Sequence, residues 1–148
     1  MYSKILVPLD GSRRAERVLG HVENMALSFG AKVILLRAVR PPPLVGRDSS
    51  ELQQFQKNME EIQKEAEDYL NTVKRKFNEM GIEAQAQVTV APVVKEILNV
   101  AEKESVDLIA LASHGRSGLS RLFYGSVAAG ILQRIDRPLL VIRSQDKE

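Results

Sequence analysis

The chain has 148 residues, enough for one domain whose core needs no disulfide or metal support. Apolar residues make up 44%, as in an ordinary globular protein, and 21 Lys and Arg face 19 Asp and Glu; cations scattered among acids argue against a nucleic-acid surface, which gathers them on one face. With no cysteine, disulfides, thiol catalysis and Cys-ligated zinc are excluded; with no signal-peptide layout and no apolar run near the roughly 18 residues of a membrane helix, the expected setting is cytoplasmic and off the membrane.

Ile5 to Leu9 predicts a short strand, and Gly11 or Ser12 is placed to start a helix running to about Phe29, where Gly30 supplies a left-handed stop. Val33 to Val39 predicts the second strand. The segment Arg40-Pro41-Pro42-Pro43-Leu44-Val45-Gly46-Arg47 cannot be helical, because each proline biases the residue before it to extended backbone. A mobile loop over one face of the domain is expected there, with residues 39–45 as a flap. From about Ser50 to Met80 a long helix is predicted, ended by Gly81. Its apolar residues Leu52, Phe55, Met59, Ile62, Ala66, Tyr69, Val73 and Phe77 form one stripe. Strands on both sides in sequence favour packing on a sheet over a coiled coil.

Ala84, Ala86, Val88 and Val90 alternate with polar residues, the pattern of a partly exposed third strand. A helix over about Val93 to Glu104 turns Ile97, Leu98 and Ala101 inward. Leu108 to Leu111 predicts the fourth strand, Ser126 to about Ile135 the last helix, and Leu139 to Ile142 the fifth strand. This alternation implies an α/β domain, doubly wound, with a parallel five-stranded sheet and helices on both faces. Residues suited to ligand contact follow strands one and four. Those strands must then be neighbours, as they are in the order 3-2-1-4-5, which places a topological switch point between them.

The richest stretch runs from Ala112 to Ser126. Gly115, Gly118 and Gly125 permit positive φ and close approach of a ligand to the backbone. Ser126 opens a helix whose free N–H groups and dipole favour an anion. A strand, a glycine-bearing loop and a Gly-Ser helix start suit phosphate; an ordinary surface loop with turn glycines has the same composition. Asp10 stands at the carboxyl edge of the first strand, either toward a ligand or as a cap on the first helix. Arg116 and Arg121 are phosphate clamps or solvated charges. With His21 as the only other histidine, a His-rich metal site is not expected, and His114 is read as structuring its loop.

Ala112-x-x-Gly115, nine residues, then Gly125-Ser126 is similar to the Gly-x-x-Gly-x9-Gly-Ser/Thr nucleotide motif of the universal stress protein family. Ile5 to Ser12, Val33 to Val39, Ala91 to Ile97 and Pro138 to Arg143 resemble its other landmarks, so the likeness covers nearly the whole chain. One position departs: Ala112 replaces the first motif glycine. The resemblance implies ATP or AMP binding, with Asp10 on the nucleoside, Pro8 and Leu9 lining the base pocket, the Ala38 backbone reading the adenine edge, and Leu111 and Ala112 among the nucleotide-site residues. Gly115, Gly125 and Ser126, with the amides of Val127 and Ala128, would hold the phosphates, and Mg²⁺ could bridge the phosphate oxygens. It also implies a homodimer through the strand at 138–143.

Three functions stay open. The first is a nucleotide-responsive stress regulator or protective module. The second is the same fold acting by dimerisation and partner recruitment without nucleotide, which Ala112 favours. The third is an enzyme, at most a slow ATPase: no P-loop, His-x-Gly-His or Ser-Gly-Gly-x-Asp-Ser signature is present.

Overall fold

A computed structural model describes residues 1–115 and 125–145. In chain order its elements are β1 (Lys4–Pro8), a short 3₁₀ helix (Ala15–Val18), α1 (Leu19–Phe29), β2 (Lys32–Val39), α2 (Ser49–Glu79), β3 (Ala84–Val90), α3 (Val93–Lys103), β4 (Leu108–Gly115), α4 (Ser126–Arg134) and β5 (Leu139–Gln145). The strands form one sheet in the order β3-β2-β1-β4-β5, with every neighbour pair parallel. The expected architecture is therefore the observed one.

Side-chain alternation on the strands divides the core in two. Ile5, Val7, Val33 and Leu35 face α1 and α2, meeting Val22, Ala26, Leu70, Val73 and Phe77. Leu6, Ile34, Leu36, Ile109 and Leu111 face α3 and α4, meeting Ile97, Val100, Ala101, Ala128 and Ile131. A parallel sheet buried on both faces needs such uninterrupted apolar strands, and β1 and β2 supply them. Gly30 ends α1 in the left-handed conformation (φ 65°, ψ 34°), and Asp48 caps α2 by accepting a hydrogen bond from the Glu51 N–H at 2.8 Å.

Three boundaries differ from expectation. No α-helix begins at Gly11 or Ser12; residues 11–14 form turns, the 3₁₀ segment follows, and α1 starts only at Leu19. The cause is local. Asp10 Oδ1 accepts from the Ser12 N–H (2.9 Å) and hydroxyl (2.6 Å), and the Ser12 hydroxyl oxygen accepts from the Ala15 N–H (3.1 Å). These side-chain bonds compete with a helical first turn. β4 runs on to Gly115, so Ser113, His114 and Gly115 are strand residues paired with Arg143, Ser144 and Gln145 of a correspondingly longer β5. Gly115, expected in the loop, is the last residue of its strand.

Candidate functional site

β1 and β4 pair only at Ile5–Leu108 and Leu6–Ile109. Above that point the chain leaves β1 toward one face of the sheet and β4 toward the other, which opens a cleft at the carboxyl edge. The cleft has a volume of about 320 Å³, within the range of small-ligand sites. Pro8, Leu9 and Asp10 from β1 and its turn, Ala38 from β2, Leu111 and Ala112 from β4, and Gly125, Ser126, Val127 and Ala128 from α4 all line it. These predicted residues are thus brought together. Gly118, Arg116 and Arg121 fall within 116–124, outside the described residues.

At the α4 end, Gly125 occupies φ 82°, ψ 153°, a backbone conformation essentially reserved for glycine. Among the described residues no side chain caps the helix, so the first amides of α4, those of Ser126, Val127 and Ala128, stand at the positive end of the dipole without an intrahelical partner. The expected anion seat is present as geometry. At the β1 end Asp10 is exposed. Its Oδ1 shapes the Ser12 turn, while Oδ2 takes no hydrogen bond among the described residues. It therefore supports a turn and faces the cleft at once, and does not cap α1.

Ala112, the departure from the motif, packs its methyl against the α1/α2-side core. It alternates with Ser113 along β4 and also lines the cleft. Ser113 is a residue that sequence reasoning passed over. It is 2% exposed, lines the cleft, and its hydroxyl is buried with no hydrogen-bond partner among the described residues. A buried hydroxyl is costly unless something satisfies it, so the cleft contains a polar group prepared for a ligand or water. The signal was the alternation of Ile109, Leu111 and Ser113 on one face, hidden while Ser113 was assigned to a loop. Arg40 was also missed as a site residue; it lines the cleft mouth.

On the other face of the sheet, a polar patch underlies the same turn. Gly11 has φ 87°, a conformation that favours glycine, and a Cβ there would stand 2.7 Å from Arg37 Nη1, so the guanidinium would have to shift. Nε and Nη1 of Arg37 are buried without partners. Burial, and then the Glu16 carboxylate, push the nearby Tyr69 hydroxyl well above its ordinary value, with Asp10 adding to the rise and Arg37 opposing it. Among the described residues no group of three His, Cys, Asp or Glu could hold a metal ion, and no helix is long and apolar enough to cross a membrane.

With this geometry in place, comparison with known proteins identifies the family. The profile of the universal stress protein family matches residues 1–143. The chain belongs to that family. It is 30% identical to universal stress protein MJ0531 of Methanocaldococcus jannaschii over 148 residues, covering 100% of this chain and 86% of that one. The solved structure of protein MJ0577 from the same organism superposes with a TM-score of 0.84 at 28% identity, over 99% of both chains. A universal stress protein from Archaeoglobus fulgidus, solved in complex with dAMP, shares the fold with a TM-score of 0.66 at 21% identity, over 95% of this chain and 98% of that one.

Proposed function

We propose that this universal stress protein binds an adenine nucleotide, ATP or its AMP and ADP relatives, in the cleft between β1 and β4, and acts as a nucleotide-responsive stress regulator or protective module. The observation that carries the reading is the N-terminus of α4, with Gly125 and Ser126, in one cleft with Asp10. The helix end suits the phosphates, and Asp10 can accept from ribose hydroxyls. The Ala38 backbone and the apolar walls suit a base. The buried Ser113 hydroxyl gains a partner when the cleft is filled. A protein of this fold accommodates dAMP, so the ligand class fits the architecture. Mg²⁺ would be held through phosphate oxygens and water.

Titration calorimetry with ATP is the direct test, with micromolar affinity expected for the unmodified protein. Gly125→Val places a branched side chain at the anion seat, and Asp10→Ala removes the nucleoside contact. Each is expected to weaken binding by at least about tenfold, roughly 1.4 kcal/mol, with circular dichroism confirming that the variant is folded. Undiminished binding in both folded variants would reject this placement. An unmodified protein that binds no adenine nucleotide would favour the reading in which the fold works by dimerisation and partner recruitment.

A further inference from the structure

We propose that Arg40 covers the exposed face of the nucleobase, stacking its guanidinium plane on the purine; this rests on the adenine-nucleotide reading above. Arg40 is positioned by its neighbours. The Val39 carbonyl before it accepts a hydrogen bond from the Ala91 N–H at 3.2 Å, and Pro41, Pro42 and Pro43 after it restrict the backbone. An anchored Cα therefore carries a free side chain. Arg40 is exposed, lines the cleft, and makes no hydrogen bond or ion pair among the described residues.

The composition of the walls says what that side chain can do. Pro8, Leu36, Val93 and Ile97 are aliphatic, and no aromatic residue is among the described residues lining the cleft. Among the described residues, a planar base set against those walls has no ring to cover its second face. The guanidinium group is planar, delocalised and weakly hydrated, and stacks on aromatic faces where a lysine ammonium cannot. Arg40 also sits at the nucleoside end. It follows β2, whereas the phosphate seat belongs to the β4–α4 connection. β1 lies between the two strands, so they are about 10 Å apart.

The test compares Arg40→Ala, Arg40→Lys and Arg40→Trp, titrated with adenosine and with ATP at low and high salt. Stacking predicts that Arg40→Ala loses about fivefold in affinity for both ligands, equally and at both salt concentrations. Arg40→Lys would lose nearly as much, while Arg40→Trp, which keeps a flat face without the charge, would bind within about twofold of the unmodified protein. A loss confined to ATP, weakened by salt and rescued by lysine, would make Arg40 a phosphate contact and overturn the proposal. Unchanged affinity in Arg40→Ala would overturn it too. If the unmodified protein binds neither ligand, the adenine-nucleotide reading itself fails and the stacking role with it.

Discussion

Asp107 shows how one carboxylate ties distant parts of the chain together. Its Oδ2 accepts from the Ser3 N–H and hydroxyl, both at 2.8 Å, and its Oδ1 from the Lys4 N–H at 3.1 Å. Burial alone would raise its pKa, but the hydrogen bonds from Ser3 and Lys4 outweigh burial and hold it below the ordinary value. A depressed carboxylate stabilises the fold above the unfolded pKa of about 4 and loses that contribution as the pH falls through the lower folded value. Asp107→Asn should therefore cost about 1 kcal/mol at pH 7. The difference from the unmodified protein should shrink as the pH drops below about 4, as urea unfolding across that range would show. At this scale Gly125, Ser126 and Asp10 were legible because glycine, serine and acid at a strand or helix end have few structural roles. Arg40 and Ser113 were not. An arginine before prolines reads as loop, and a serine gains its meaning only when its strand alternation shows which face buries it.

Among the elements, α2 is the one whose length exceeds its support. Its 31 residues span about 46 Å, while the 7 residues of β3 beside it span about 23 Å. The buried residues of the helix, Ala66, Leu70, Val73 and Phe77, all lie in its C-terminal half. Leu52 near the other end is 44% exposed, against 1% for Phe77. Phe77→Ala is expected to cost about 3–5 kcal/mol and Leu52→Ala less than about 1 kcal/mol, measured by denaturant unfolding. Hydrogen exchange should show amides at 52–62 opening well before those at 70–77. Sequence periodicity could not reveal this contrast, because the apolar stripe runs unbroken from Leu52 to Phe77 and does not record where the sheet stops. The start of α1 escaped for the opposite reason. Glycine and serine after a strand commonly cap helices, and only the Asp10–Ser12–Ala15 hydrogen bonds show the backbone diverted into turns.

For the molecule as a whole, strand order was readable in advance because right-handed crossovers and two ligand-bearing loops leave few arrangements. The same order puts β5 at an edge, where unpaired backbone groups invite a second copy. Arg137, which could have blunted that edge, instead donates from Nη1 to the Ala101 and Val106 carbonyls at 2.6 and 2.9 Å, clasping the end of α3. A dimer through β5 is expected, and light scattering at micromolar concentration should give twice the 16.5 kDa chain mass. A monomer mass would reject it. Nucleotide turnover is expected to be slow or absent, since Asp10 is assigned to the nucleoside and no acidic pair is among the described residues lining the cleft. Phosphate release with Mg²⁺, with Ser126→Ala alongside, measures this. Multiple turnover on the order of one per second would make the protein an ATPase.

The central place of β1 also sets an order of events during synthesis. The first strand made can pair with β2 early, but its other edge waits for β4, about a hundred residues later in the chain. The cleft is divided among residues 8–40, Val93 and Ile97 of α3, and residues 111–128, and a ribosome adding roughly 5–20 residues per second separates Asp10 from Ser126 by roughly 6–23 s. Until then the nascent chain exposes the apolar edge of β1 and has no anion seat. Any ligand of the cleft can reward only a chain made past α4, and a truncated product would present a sticky half-sheet.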